Sequence, residues 1–243
     1  MKKLVLFLGL SCWLSMAFAQ SSWQTITLDE LDLVLAEMAK SYQSKSYRFE
    51  TRHQSFKGHQ SVEPYDEMTG FFAKSGAKYH AKLLGSEVFQ DQKHKVVIQH
   101  QLQQLQLHLA DAPLVTDFSD LTGQFPAGYG EVSVRTIGQQ REYRLRYQEG
   151  SKVAWMTFRL TADHFLSEMV MYLQESIAWE DTEGRVHHSQ PKIRIAFENI
   201  ETDYRPIAGE FDPSPYIVIR KKAIAAGEKS SAYELKDLRI SKK

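Results

Sequence analysis

Cysteine is almost absent from this sequence: Cys12 is the single one in 243 residues, and it stands inside an apolar leader. A chain that has shed that leader can form no internal disulfide, so its core alone must hold it together. Long apolar runs are equally scarce. Beyond residue 19 nothing approaches the roughly eighteen uninterrupted apolar residues that mark a membrane-spanning helix. Neither sign of charge is in surplus. Thirty basic residues face thirty acidic ones, and loss of Lys2 and Lys3 leaves twenty-eight against thirty, a net of −2. That balance argues against nucleic acid or an anionic membrane surface as a non-specific partner. Nucleophile and zinc-protease signatures are missing, with neither G-x-S-x-G nor H-E-x-x-H in the chain. The acids of "EDTEG" do not follow the EF-hand spacing and read as a solvated hairpin tip. No cofactor and no metal are expected, and the protein is not expected to be an enzyme.

What is present starts with an export signal. Lys2 and Lys3 precede the apolar run "LVLFLGLSCWLSM", and "AFA" puts small residues at the −3 and −1 positions of a cleavage site. The expected mature chain starts at Gln20, is soluble and resides in the periplasm. A rival reading makes Cys12, preceded by Ser11, the acylated first residue of a lipoprotein.

The next stretch, "TLDELDLVLAEMAKSYQ", carries a capping box, Thr27 with Glu30 three residues on. Leu31, Val34, Leu35, Met38 and Tyr42 follow at helical spacing and form one apolar stripe. Most of the remainder alternates with period two. "YRFETRHQSF", "YDEMTGFFAK", "AKYHAKLL", "SEVFQDQ", "HKVVIQH" and "QLQLHLA" predict short antiparallel strands separated by polar turns. Phe118, Leu121 and Phe125 predict a second short helix, ended by Pro126, Gly128 and Gly130. Strands resume with "EVSVRTI" and "REYRLRYQ", where Tyr143, Leu145 and Tyr147 face in and Arg144 and Arg146 face out. "PKIRIAFENI" and "PYIVIRKK" complete the set. The expected class is α+β, mostly β. One domain over residues 20–226 forms a strongly curved antiparallel sheet with helices on its concave side. Residues 227–243 form a polar tail or, through "YELKDLRI", an edge strand.

Between these lies "VAWMTFRLTADHFLSEMVMYLQES" (153–176), a hairpin whose two strands are apolar on both parities. One set is Val153, Trp155, Phe165, Met169, Met171 and Leu173; the other is Met156, Phe158, Leu160, Leu166, Val170 and Tyr172. One set is expected to line the concavity, and the other to be covered by a loop, the tail or a partner, since a large bare apolar patch is uncommon on a soluble monomer. Methionines suit a surface that adapts to varied apolar shapes. Tyr47, Phe49, Tyr79, Tyr143, Tyr147, Trp155 and Phe197 are assigned to inner faces, as core or as cavity wall. Burial stabilises by about 1.5–3 kcal/mol for each such side chain, so a core alone justifies them. His80, His94, His100 and His108 sit on or near adjacent strands, but His80 and His108 fall on the polar parity and are expected to face solvent. His164 and Glu168 are four apart in a strand, about 13 Å at ~3.3 Å per residue, too far to share a metal ion.

This order of elements, with the residues "YRFETRHQSF", "TGFFAKSGAKYHAKL", "EVFQDQKHKVVIQHQLQQLQLHL", "FLSEMVMYLQES" and "PKIRIAFENIETDYRPIAGEFDPSPYIV", resembles the LolA/LolB-like periplasmic lipoprotein-carrier superfamily over roughly residues 27 to 220. Within it the chain is similar to an exported branch common in Bacteroidetes-type bacteria. The resemblance implies an incomplete β-barrel closed by helices around an apolar cavity, which in the carriers holds lipoprotein acyl chains. The carriers have an Arg-Pro pair in the strand after their first glycine-marked strand; here Ser75 and Gly76 stand in that place. The matching arginine is absent, so the resemblance does not extend to the carriers' lid mechanism and leaves cargo binding open. The implied cavity lining is Tyr47, Phe49, Tyr79, Tyr143, Tyr147, Trp155, Phe165, Met169, Met171 and Phe197, with Leu31, Val34, Leu35, Met38, Phe118 and Leu121 on lid helices. The expected partner is a lipid or a lipoprotein acyl chain. The alternative is an interaction module of an envelope complex with a filled core and no cargo.

Overall fold

A computed structural model describes residues 22–43, 46–83, 85–110, 128–220 and 223–239. The expected leader and the expected second helix, with Phe118 and Leu121, lie outside the described residues.

The helix α1 runs Leu28–Tyr42. Its start follows from the capping box: the Glu30 backbone N–H donates to Thr27 Oγ1 (3.2 Å), and Glu30 Oε2 accepts from the Thr27 backbone N–H (2.8 Å). Orphan donors at both ends of the box are thereby satisfied. Leu31, Leu35, Met38 and Tyr42 are buried, while Leu33 on the other side is 69% exposed.

Strands β1 (Gln24–Ile26), β2 (Ser46–Phe56), β3 (Asp66–Ser75), β4 (Lys78–Leu83), β5 (Ser86–Gln90), β6 (His94–Gln99) and β7 (Gln104–Leu109) come first. They are followed by β8 (Tyr129–Ile137), β9 (Gln140–Tyr147), β10 (Val153–Leu160), β11 (Leu166–Leu173), β12 (Ile177–Glu180), β13 (Val186–Ser189) and β14 (Lys192–Thr202). The chain ends with β15 (Ile217–Ile219), β16 (Ile224–Ala226) and β17 (Glu234–Asp237). Thirteen of them form one open, curved sheet in the order β1-β8-β9-β10-β11-β14-β2-β3-β4-β5-β6-β7-β17. Two antiparallel meanders, β2 to β7 and β8 to β11, run outward and inward respectively. They are joined where the eleven-residue strands β14 and β2 pair. β12 and β13 form a separate hairpin, as do β15 and β16. The edge strand β17 pairs with β7 in parallel, the exception in an otherwise antiparallel sheet.

Apolar rows cross the sheet on its concave face. Val134, Tyr143, Phe158, Met169, Ile195, His53 and Met68 are successive cross-strand partners from β8 to β3. Val132, Leu145, Met156, Met171, Ile193, Ser55 and Asp66 form the next row. The stripe of α1 lies on this face, in one core with Tyr47, Phe49, Phe72, Tyr143, Phe158, Phe165 and Phe197. Tyr42 meets Phe165 edge-on at 4.9 Å and Tyr47 at 5.5 Å, and Tyr47, Phe49 and Phe72 stack in parallel. Such ring pairs add to plain area burial.

A second core occupies the opposite face. Phe89, Val96, Ile98, Leu105 and Leu107 of β5–β7, continued by Leu235 of β17, pack against Tyr216, Ile217, Ile219, Ile224 and Tyr233 of the C-terminal segment. Register shows the switch: Phe89 pairs with His80, which pairs with Ala73, which pairs with Arg48 on the convex side. The apolar parity of β5–β7 is therefore convex. His80 consequently does not face solvent, contrary to the sequence expectation. It stacks on Phe89 at 4.1 Å with Phe71 edge-on at 4.8 Å, and its Nε2 is 2.8 Å from Glu87 Oε1. His108, paired with Lys95, is half-buried on the concave side.

Candidate functional site

The hairpin 153–176 folds as β10 and β11, and its register decides which residues reach the concavity. Phe158 pairs with Met169 and Met156 with Met171, so even positions of β10 share a face with odd positions of β11. Trp155 is therefore not part of the cavity lining. It stands on the convex face, stacked on Tyr172 at 4.4 Å, and pairs with Arg146. A bulge between Val153 and Trp155 returns Val153 to the concave core. The cover over Trp155 and Tyr172 comes from the β2–β3 connection. His59 meets both rings edge-on, at 4.8 and 5.2 Å, and its Nε2 lies 3.0 Å from the Leu173 carbonyl oxygen.

The remainder of that convex face is a polar ladder. Glu142 accepts from Arg135 and Arg159, Glu168 accepts from Arg159 and Arg194, and Arg194 reaches Gln54, which donates to Glu67. Glu142 and Glu168 are buried under these contacts. The ladder also disposes of a His164–Glu168 pair: Glu168 points to the convex side while His164 sits exposed at the β10–β11 turn with φ +62°. Among the described residues no group of three or more His, Cys, Asp or Glu is arranged to hold a metal ion.

On the concave face the space directly under α1 is filled. Leu31, Met38, Tyr42, Tyr47, Phe49, Phe72 and Phe158 are each at most 1% exposed, and Phe165 and Phe197 complete the packing. Open space lies beside the helix. A hollow of about 490 Å³ has a mixed lining, apolar at Ile26, Leu33, Val34, Val134 and Tyr143 and polar at Ser22, Gln24, Glu30, Arg135, Thr136 and Arg141. An adjoining hollow of about 390 Å³, more apolar, borders Leu33, Val34, Tyr143, Leu160 and Ala162 with Glu37, Gln139, Arg141, Thr161 and His164 at its polar parts. Leu33, Val34, Arg141 and Tyr143 border both. Of the residues assigned from sequence, Tyr143 and Val34 thus line the hollows. Tyr47, Phe49, Phe165, Phe197, Leu31, Leu35 and Met38 belong to the packed core. Tyr79, Tyr147, Met169 and Met171 are half-buried on the same face and line neither hollow. Buried polar atoms also reach this face without a hydrogen-bond partner, among them Tyr147 Oη, His53 Nε2 and Thr51 Oγ1. Burial keeps His53 below the usual histidine range, hence neutral, and raises the Tyr147 phenol.

Leu33, Arg141, Leu160 and Ile26 were not singled out from sequence as site residues. Arg141 carried a usable signal, since it shares the parity of Tyr143, Leu145 and Tyr147. Leu33 carried none, because it lies off the apolar stripe of its helix.

No protein-family model matches this sequence, and no curated protein matches it. Solved structures similar to this chain include an uncharacterized conserved protein from Thermus thermophilus, at 11% identity over 87% of this chain and 99% of that one, TM-score 0.42. A DUF1329 family protein from Desulfovibrio piger matches at 10% identity over 76% of this chain and 97% of its own, TM-score 0.33. A LolA superfamily protein from Nitrosomonas europaea matches at 9% identity over 72% and 94%, TM-score 0.28.

Proposed function

We propose that this is a non-enzymatic, exported protein of the cell envelope that holds an apolar ligand, a lipid or the acyl part of a lipoprotein, against the concave face of its sheet. The observation that carries the reading is the pair of adjoining hollows beside α1, walled by Leu33, Val34, Tyr143 and Leu160. Each has the size of an ordinary small-ligand pocket, which runs about 300–1,000 Å³. The second hollow is the more apolar of the two, and an exposed leucine on its rim is stabilised by a guest that covers it. The sequence resemblance to lipoprotein carriers points to an acyl chain as that guest. The filled space under α1 supports a second reading, an interaction module without cargo.

Mass spectrometry of lipid co-purified with the protein, and titration with an apolar fluorescent dye, separate the two. Leu33→Asp, on an exposed position, is expected to weaken dye binding about tenfold, the effect of ~1.4 kcal/mol, with unchanged circular dichroism. Trp155→Ala, on the opposite face, is expected to leave dye affinity unchanged while lowering stability by about 2 kcal/mol, less than a fully buried Trp because the ring is half-exposed. Equal affinities in Leu33→Asp and wild type, or a protein with neither lipid nor dye binding, refute the carrier reading.

A further inference from the structure

The two faces of the sheet treat charge differently. On the convex face Arg52, Arg135, Arg146, Arg159 and Arg194 each meet a carboxylate. On the concave parity of β2–β6, β8–β11 and β14 the cationic or titratable basic side chains are Arg141, Lys74, Lys95 and His53, against one carboxylate, Asp66 at the start of β3. Lys74 is already committed, donating to the Tyr42 carbonyl oxygen at 2.8 Å. Arg141 is not. It pairs across the sheet with Thr136 and Leu160, is exposed, and has no ion-pair partner among the described residues. It is common to both hollows, together with Leu33, Val34 and Tyr143, whereas Arg135, which borders the first hollow alone, is already paired with Glu142. The acids bordering the same space are engaged elsewhere: Glu30 in the capping box with Thr27, and Glu37 with Lys40 at 3.6 Å.

We propose that the hollow beside α1 takes a single-chain amphiphile with an oxyanion head, the head paired with the Arg141 guanidinium and the chain along Val34, Tyr143 and Leu160. The inference rests on the apolar-ligand reading above and adds the chemistry of the head. Guanidinium forks match carboxylate and phosphate oxygens with two parallel hydrogen bonds. An arginine at the mouth of an apolar wall fixes which end of such a ligand enters.

The test is equilibrium binding of three probes to the full-length purified protein: palmitate, hexadecanol and lysophosphatidate, each with wild type, Arg141→Gln and Arg141→Lys. Wild type is expected to bind palmitate about tenfold or more tightly than hexadecanol, the effect of a charge-assisted hydrogen bond. Arg141→Gln is expected to bring the two together through loss of palmitate affinity, and Arg141→Lys to restore part of the difference. Tighter binding of lysophosphatidate than palmitate, lost in Arg141→Gln, supports the proposal with phosphate as the head. Hexadecanol bound as tightly as palmitate by wild type, or a preference that survives Arg141→Gln, overturns head recognition and leaves the apolar site standing. Failure of all three probes overturns the apolar site itself.

Discussion

The wall of the proposed site is α1, so its docking is the most informative thing to perturb. Tyr42 ends the helix, is 1% exposed, and its hydroxyl oxygen accepts the Leu166 backbone N–H at 3.1 Å. Leu166 is itself fully buried. Tyr42→Phe keeps the ring contacts with Phe165 and Tyr47 and removes the acceptor alone. A buried donor left without its partner costs about 1–3 kcal/mol. A domain of this size shifts in Tm by roughly 2–4 °C per kcal/mol, so the melt should fall by roughly 2–12 °C. Urea unfolding should show a lower midpoint with the same slope, and amide exchange should speed up along 28–42. The exposed Tyr65→Phe is the control, expected within about 0.5 kcal/mol of wild type. A Tyr42→Phe protein as stable as that control would show that the hydroxyl does not tie the helix to β11, and the site's wall would have to be redrawn.

Two further outcomes follow from the geometry. Gly70→Ala places a Cβ in overlap with the Lys82 carbonyl oxygen and 2.9 Å from Thr51 Oγ1, so denaturation should reveal a loss of about 1–3 kcal/mol, whereas Gly130→Ala, whose Cβ meets only Gln148 Cγ at 3.8 Å, should be nearly neutral. Burial raises the Glu87 carboxyl, but hydrogen bonds from His80, His100 and Tyr216 outweigh it and hold the group below the usual carboxylate range. A depressed folded-state value means that this stabilisation is present above the unfolded-state range and lost as pH falls through the folded one. Limited proteolysis of the C-terminal segment should therefore accelerate as pH falls below about 4.3, the ordinary Glu value, toward the lower folded-state one, and Glu87→Gln should remove that dependence.

Much of the local structure was legible. The Thr27–Glu30 box and the Leu31–Tyr42 stripe act over one to four residues, so the helix was readable without its partners. Period-two runs such as Tyr143-Leu145-Tyr147 likewise marked strands and their alternation. The faces were less legible. Alternation alone groups Trp155 with Met169, because parity within one strand says nothing of parity in the next. His80 was assigned to solvent because nothing near it reveals that Tyr216 and Tyr233, more than a hundred residues on, cover that side of the sheet.

The sequence by itself determined the first helix, most of the strands with their order, and the mostly antiparallel, curved architecture, because capping, periodicity and turn residues act between near neighbours. Only the tertiary structure decided that the sheet carries two cores on opposite faces, that His59 covers Trp155, and that the space under α1 is filled while the space beside it is open. Those outcomes depend on cross-strand register and on which distant segment lies over each face. Turns, bulges and packing set them together, and no local pattern encodes them.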